Sequence, residues 1–248
     1  MAVSWLLPYL DWNLAVAAVV ATIAGLMRGF AGFGSAMMMA PVFALLFGPT
    51  AMIGIVTGIE MIVTVQLIPQ AMRQCEWRFV GPLSVAAVLF LPLGGWLLVS
   101  IDADLLTKIV ASIVLIFVLV LVSGWRYQGP KKLPITLGLG AVSGTMVATT
   151  SVGGPPVLIY MLAGSDSPSA VRANIIVYFA VITAFLLLQL WYQGLLDEGT
   201  AVRCALLAPP MLLAALVGAR SFRASSEKLY RWIAFAFLFC VAMIGLFG

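Results

Sequence analysis

Long apolar runs alternate with short polar or Gly/Pro breaks from one end of the chain to the other. A helix that spans a bilayer needs about 20 apolar residues to cross a hydrocarbon core about 30 Å thick. On that rule the chain divides into ten apolar segments: 12–27, 30–47, 50–71, 79–100, 104–124, 133–147, 152–164, 168–193, 200–219 and 227–247. Six of the ten are comfortably long enough to cross. The pairs 12–27/30–47 and 133–147/152–164 differ. Each is short or broken by glycine, and a Gly-rich stretch joins its two members.

The segments repeat, and a repeat must be recognised before any fold is assigned. Gly25-Leu26-Met27-Arg28-Gly29 opens the first Gly-rich stretch, and Gly140-Ala141-Val142-Ser143-Gly144 opens the second. Each continues through glycines and a proline, to Gly48 and to Gly164. Gly95 stands nine residues before Asp104-Leu105-Leu106-Thr107-Lys108, and Gly218 stands nine before Glu227-Lys228-Leu229-Tyr230-Arg231. An apolar helix follows each. The pattern predicts an all-α polytopic integral membrane protein. Residues 1–248 form a single transmembrane domain of two repeats, 12–124 and 133–247, with five segments in each.

Loop charge gives the orientation, because Lys and Arg accumulate on cytoplasmic loops. Arg73 and Arg78 lie between segments three and four, and Arg126, Lys131 and Lys132 between five and six. Arg220, Arg223, Lys228 and Arg231 lie at the junction of nine and ten. Asp102 and Asp104, and then Asp197 and Glu198, mark the turns expected outside. Alternating crossings satisfy all of these at once. Each half then crosses an odd number of times, so the repeats are inverted and both termini are extracytoplasmic. Re-entrant Gly-rich pairs add no net crossing, which leaves the count at six to ten.

Inverted repeats interrupted at matching positions point to a transport site. Irregular backbone cannot face lipid, since its unpaired N–H and C=O groups cost several kcal/mol each. It survives buried in protein or lining a cavity. Broken helices also leave free amides and positive dipole ends, which favour anions.

Composition narrows the class. Hydrophobic residues make up 63% of the chain and charged residues 9%, too few to cover a water-soluble surface. Met1 to Leu10 carries no Lys or Arg before its apolar stretch, so the first segment is expected to belong to the mature protein. There is no histidine, and Cys75, Cys204 and Cys240 are dispersed. No metal set or nucleophile–base pair is apparent, so an intramembrane enzyme is disfavoured and no cofactor is expected. The net charge of +4 sits largely on loops and gives no reason to invoke nucleic acid. With no phosphate loop or ATP-binding domain, the energy must come from a gradient or the membrane potential.

The Gly-rich stretches carry a resemblance. Gly25-x-x-x-Gly29-x-x-Gly32-x-Gly34, with Pro41 seven residues on, resembles the first signature of the TauE/SafE sulfite exporter family. Gly140-x-x-x-Gly144 followed by Ser151-Val152-Gly153-Gly154-Pro155-Pro156 is similar to the second. Gly32-Phe33-Gly34-Ser35 stands where a run of three glycines is common in the family. The resemblance implies a secondary transporter of sulfur-containing anions, such as sulfite, sulfoacetate or other organosulfonates, with export as the expected direction.

Candidate site residues follow from position. If the first Gly-rich pair is re-entrant, Arg28 stands near its tip as a fixed charge for an anion. If both segments span, Arg28 is a loop arginine. Gly29, Gly32 and Gly34 either admit backbone amides to substrate or serve close helix packing. Ser35 is the first-half counterpart of Thr149, Thr150, Ser151, Gly153 and Gly154. The hydroxyls and amides of these residues suit oxyanion oxygens, and the alternative is hydroxyls bonded back to helix carbonyls. Glu60, near the middle of segment three, is an expensive buried acid that either carries a coupling proton or pairs with a cation such as Arg28. Arg172 and Asn174 form a polar entrance, or Arg172 simply snorkels. Trp77, Trp96, Trp125, Trp191 and Trp232 read as interface anchors.

The favoured function is a secondary transporter working by alternating access between the two Gly-rich regions. The alternatives are an anion channel, or a permease importing another small organic anion. A reporter fused to the C-terminus tests the topology: it should read as extracytoplasmic, and a cytoplasmic signal would break the odd-crossing scheme.

Overall fold

A computed structural model describes residues 9–31, 34–65, 68–123, 132–161 and 168–221. The described residues form ten helices and no strand. In chain order these are α1 (Trp12–Ala31), α2 (Ser35–Phe47), α3 (Pro49–Val65), α4 (Ile68–Gln74), α5 (Trp77–Ser100), α6 (Ala103–Val122), α7 (Leu133–Thr150), α8 (Gly154–Met161), α9 (Pro168–Tyr192) and α10 (Glu198–Ser221). Segment ten of the sequence pattern lies outside the described residues. The expected segment 50–71 is divided between α3 and α4. Among the described residues, five helices are long and apolar enough to cross a membrane. They lie in α1, α5, α7, α9 and α10, with α2 and α3 as shorter apolar helices.

The outer faces show what surrounds the molecule. On α5, Val85, Leu89, Leu93, Trp96 and Val99 are exposed, as are Leu188 on α9 and Leu213 on α10. Apolar faces of this extent are covered by lipid, not water. Trp77, Trp96 and Trp191 are exposed close to helix ends, the level at which indole rings meet headgroups. Trp125 and Trp232 lie outside the described residues.

Helix starts follow capping chemistry. Asp11 Oδ1 accepts the Leu14 amide at 2.7 Å at the start of α1. Asp102 Oδ1 accepts the Asp104 amide at 3.0 Å before α6. Asp197 Oδ1 accepts the Thr200 amide at 2.7 Å before α10. Hydrogen bonds from Thr200 hold the Asp197 carboxyl below its ordinary value. Asp102 and Asp197 therefore serve as N-caps.

Inside a bilayer there is little hydrophobic drive to bring helices together, so close approach through small residues does the work. The two broadest contacts are α5 with α7 and α1 with α10. Gly25 of α1 leaves no room for a Cβ against the Met211 carbonyl and Ala214, whose Cβ would lie at 3.0 Å. In α7, Gly144 rests on the α5 backbone, where a Cβ would lie 2.7 Å from the Ala87 Cα. The α3 helix sits between α2, α9 and α10, and α9 also packs on α4 and α5.

Gly138 and Gly144 share α7 but not this constraint, since a Cβ on Gly138 meets nothing within 4 Å. Gly144→Ala should lower stability by about 1–3 kcal/mol through overpacking. Gly138→Ala should be neutral or stabilising. Thermal unfolding of both variants in detergent checks the pair, and equal behaviour would refute backbone-to-backbone packing at Gly144.

Candidate functional site

The first Gly-rich break is built by Gly34. It takes the left-handed conformation, φ 93°, that a residue with a Cβ rarely adopts. A Cβ there would also collide with the Met27 methyl. The turn sets Ser35 at the start of α2, facing the last turn of α1. Arg28 lies in that turn and is only 8% exposed, so it is a buried helix residue and not a loop arginine.

Three helices then close around one guanidinium. Arg28 Nη1 pairs with the Glu60 carboxylate of α3. The same nitrogen donates to Ser35 Oγ at 3.3 Å. Nη2 donates to Thr64 Oγ1 at 2.6 Å. The Ser35 hydroxyl donates to the other Glu60 oxygen. Glu60 is 9% exposed, so both charges lie out of water. Such a pair survives because each charge is compensated and hydrogen-bonded.

The second break is strained where the first is relaxed. α7 ends at Thr150, and Ser151 takes φ 59°, the one non-glycine with positive φ among the described residues. Its amide donates to the Val147 carbonyl at 2.9 Å. Ser143 Oγ donates to the Gly153 carbonyl at 2.6 Å and ties the returning chain to α7. Gly153 is packed so closely that a Cβ would lie 2.5 Å from the Ser143 carbonyl oxygen. α8 begins at Gly154.

The two breaks meet at one cavity, with about 620 Å³ of empty space counting its open side. The first break contributes Arg28, Gly34 and Ser35, and the second Ser151, Val152 and Gly154. Thr57 and Glu60 come from α3, and Phe179 and Thr183 from α9. Most of the remaining wall is aliphatic, including Val56, Val147, Leu158 and Leu186.

Several donors at this cavity are unused. Arg28 Nε and Ser151 Oγ are buried without a hydrogen-bond partner. A buried polar atom left unpaired costs about 1–3 kcal/mol, which a suitable ligand would recover. The first amides of a helix have no partner within it, and Gly34 offers α2 no side-chain cap. α2 therefore presents amides and a positive dipole end to the cavity. α8 differs, because Pro155 and Pro156 in its first turn carry no N–H. Its side contributes a dipole end and the Ser151 hydroxyl. Among the described residues, the charges on the cavity are Arg28 and Glu60, so the site is formally neutral. No three His, Cys, Asp or Glu side chains cluster among the described residues to hold a metal.

The other sequence candidates are placed elsewhere. Thr149 Oγ1 donates to the Gly94 carbonyl of α5 at 3.1 Å and to Thr145 at 2.8 Å. Thr150 Oγ1 bonds back to the Met146 carbonyl at 2.8 Å and accepts the Val152 amide at 3.1 Å. Both hydroxyls serve helix ends and packing. Asn174 is buried and accepts the Glu76 amide at 2.8 Å, which fixes the approach to α5. Gly29 follows Arg28 in α1. Gly32 lies outside the described residues, as does the Arg172 side chain. Sequence reasoning missed Thr57, Thr64, Thr183 and Phe179. A signal for the first two was present: Thr57, Glu60 and Thr64 recur at helical spacing on one face of an otherwise apolar helix. Phe179 carried none.

The description Sulfite exporter TauE/SafE matches residues 17–244 of the 248. Comparison with curated proteins and with solved structures gives no match. The chain belongs to the TauE/SafE family and is a multi-pass membrane protein.

The Arg28–Glu60 pair should behave as one unit. Glu60→Leu or Arg28→Met alone should cost about 3–5 kcal/mol, because each leaves a buried charge uncompensated. The double variant should cost clearly less than the sum. Unfolding of all four proteins in detergent measures the coupling, and strict additivity would show that the two side chains do not compensate each other.

Proposed function

We propose that this TauE/SafE member is a secondary transporter of a small sulfur-containing anion. The substrate is sulfite or an organosulfonate such as sulfoacetate, exported across the cytoplasmic membrane by alternating access at the cavity. The observation that carries this reading is the convergence of both Gly-rich breaks on one space. There, a guanidinium with an unpartnered Nε, the unpartnered Ser151 hydroxyl and the N-termini of α2 and α8 face the same volume. A sulfonate group presents oxygens in several directions, and it suits donors arriving from α1, α2 and the α7–α8 turn.

The helix pairing supports two inverted repeats around that site. The first segment of each half, α1 or α7, packs on the fourth segment of the other half, α10 or α5. A reciprocal exchange of this kind is what a pseudo-two-fold arrangement produces. The third segments, α3 and α9, bring Thr57 and Thr183 to the cavity in parallel. The aliphatic and aromatic walls favour a carrier over a channel, since they interrupt any continuous polar path. Arg28, Gly34, Ser35, Ser151 and Gly154 are the proposed substrate contacts, with Thr57 and Thr183 beside them.

Thermal stabilisation of the purified protein by sulfite, sulfate, thiosulfate, sulfoacetate, methanesulfonate, taurine and chloride tests the reading. A sulfur oxyanion or sulfonate should stabilise and chloride should not. Ser151→Ala should weaken that ligand about tenfold, the value of one hydrogen bond to a charged group. No shift from any sulfur anion would overturn the proposal.

A further inference from the structure

An anion entering this cavity meets two obstacles. The first is charge. Arg28 and Glu60 cancel before entry, so a bound monoanion leaves a net negative charge in a site shielded from water, which is steeply unfavourable. The second is geometry. Arg28 Nη1 is already engaged by Glu60 and Ser35. A proton on Glu60 removes both obstacles at once.

We propose that the protein carries its anion together with one proton held on Glu60, an inference that rests on the anion reading above. The step balances. The paired guanidinium and carboxylate, one anion and one proton from solution become a guanidinium–anion pair and a neutral Glu60 carboxylic acid. The cavity is neutral before and after. Nη1, released by Glu60, is then free to donate to the anion. Ser35, which donates to the Glu60 carboxylate, is placed to accept from the neutral acid. A monoanion therefore crosses without net charge movement, and its direction follows the sum of its own gradient and the proton gradient.

No other described charge competes for this role. α2 and α7 carry no charged residue. Arg73 on α4, Arg78 on α5, and Asp104 and Lys108 on α6 are exposed near helix ends. On α10, Arg203 lies over the Phe47 ring at 4.8 Å, Glu198 and Arg220 are exposed, and the Cys204 thiol meets the α3 carbonyls of Gly54 and Ile55. Tyr178 of α9 is buried away from the cavity lining, and the Arg172 side chain lies outside the described residues.

The test is calorimetric titration of the purified protein with methanesulfonate, a monoanion at every working pH, in buffers of different ionisation heat. Wild type should take up about one proton per anion bound, and its affinity should fall about tenfold per pH unit wherever the free carboxylate is ionised. Glu60→Gln preserves shape but cannot titrate. It should bind with no proton uptake and with an affinity independent of pH. Wild-type binding without proton uptake overturns the inference and leaves the anion reading standing. Uptake that persists in Glu60→Gln also overturns it, because the proton then resides elsewhere. Absence of methanesulfonate binding overturns it as well, while the anion panel judges the anion reading separately. Should Glu60→Gln prove unstable, Glu60→Asp replaces it, and proton uptake with an unchanged pH dependence in that variant overturns the inference.

Discussion

A guanidinium cannot stand alone inside a membrane. Arg28 is charged at any attainable pH and sits out of water, so the neighbouring structure has to supply its partners. That demand fixes three helices at once. α1 must end just beyond Arg28, α2 must return with Ser35 at its start, and α3 must present Glu60 and Thr64 one turn apart. The broken backbone needed for the return leaves amides that lipid cannot satisfy. Those amides find use only at a cavity, so the cost of placing the arginine and the opportunity to bind an anion arise at the same point.

The rest of the fold keeps that point in register. The helices approach through glycine and alanine, backbone against backbone. Gly94 of α5 leaves a Cβ only 2.7 Å from that of Ala148 on α7, and Gly218 of α10 lies against Leu26 of α1. Contacts this close are stiff along the normal to the helix pair but permit sliding, since few side chains interlock. Polar side chains stitch the same seams. Thr149 reaches the Gly94 carbonyl across α5 and α7, and Gln189 of α9 reaches the Leu91 carbonyl of α5 at 3.2 Å. Residues that looked like substrate ligands by composition are in several cases this stitching.

The parts of the site legible in the sequence were those with no cheap alternative in lipid. Arg28 and Glu60 stood out because an ionised group in an apolar run needs a reason, and the Gly-rich breaks because irregular backbone does too. Helix limits were legible wherever punctuation was strong, as at Trp12, Leu133 and Pro168. Other features were not legible because the sequence is degenerate there. A threonine in a membrane helix bonds back to its own turn or turns toward a cavity with the same residue identity, and only the rotation of the helix separates Thr150 from Thr57. Asn174 looked like an entrance residue, yet its neighbour across 98 residues is the Glu76 amide, a long-range contact that local pattern does not encode. Phe179 reads as one more apolar residue until α8 is placed against it.

The two prolines that open α8 have a consequence of their own. They strip amide donors from one side of the cavity while α2 keeps its own on the other, so the two breaks differ in chemistry. On the proposed reading, a guest would lie with its anionic head toward α1 and α2 and its body toward Leu158 and the Phe179 ring, which rests close to Gly154. Head and body are then read by separate sets of residues. Drift at Leu158 or Phe179 would then change which molecule is accepted while Arg28 and Glu60 stay fixed, and a lineage of such proteins would diversify its cargo without rebuilding its engine.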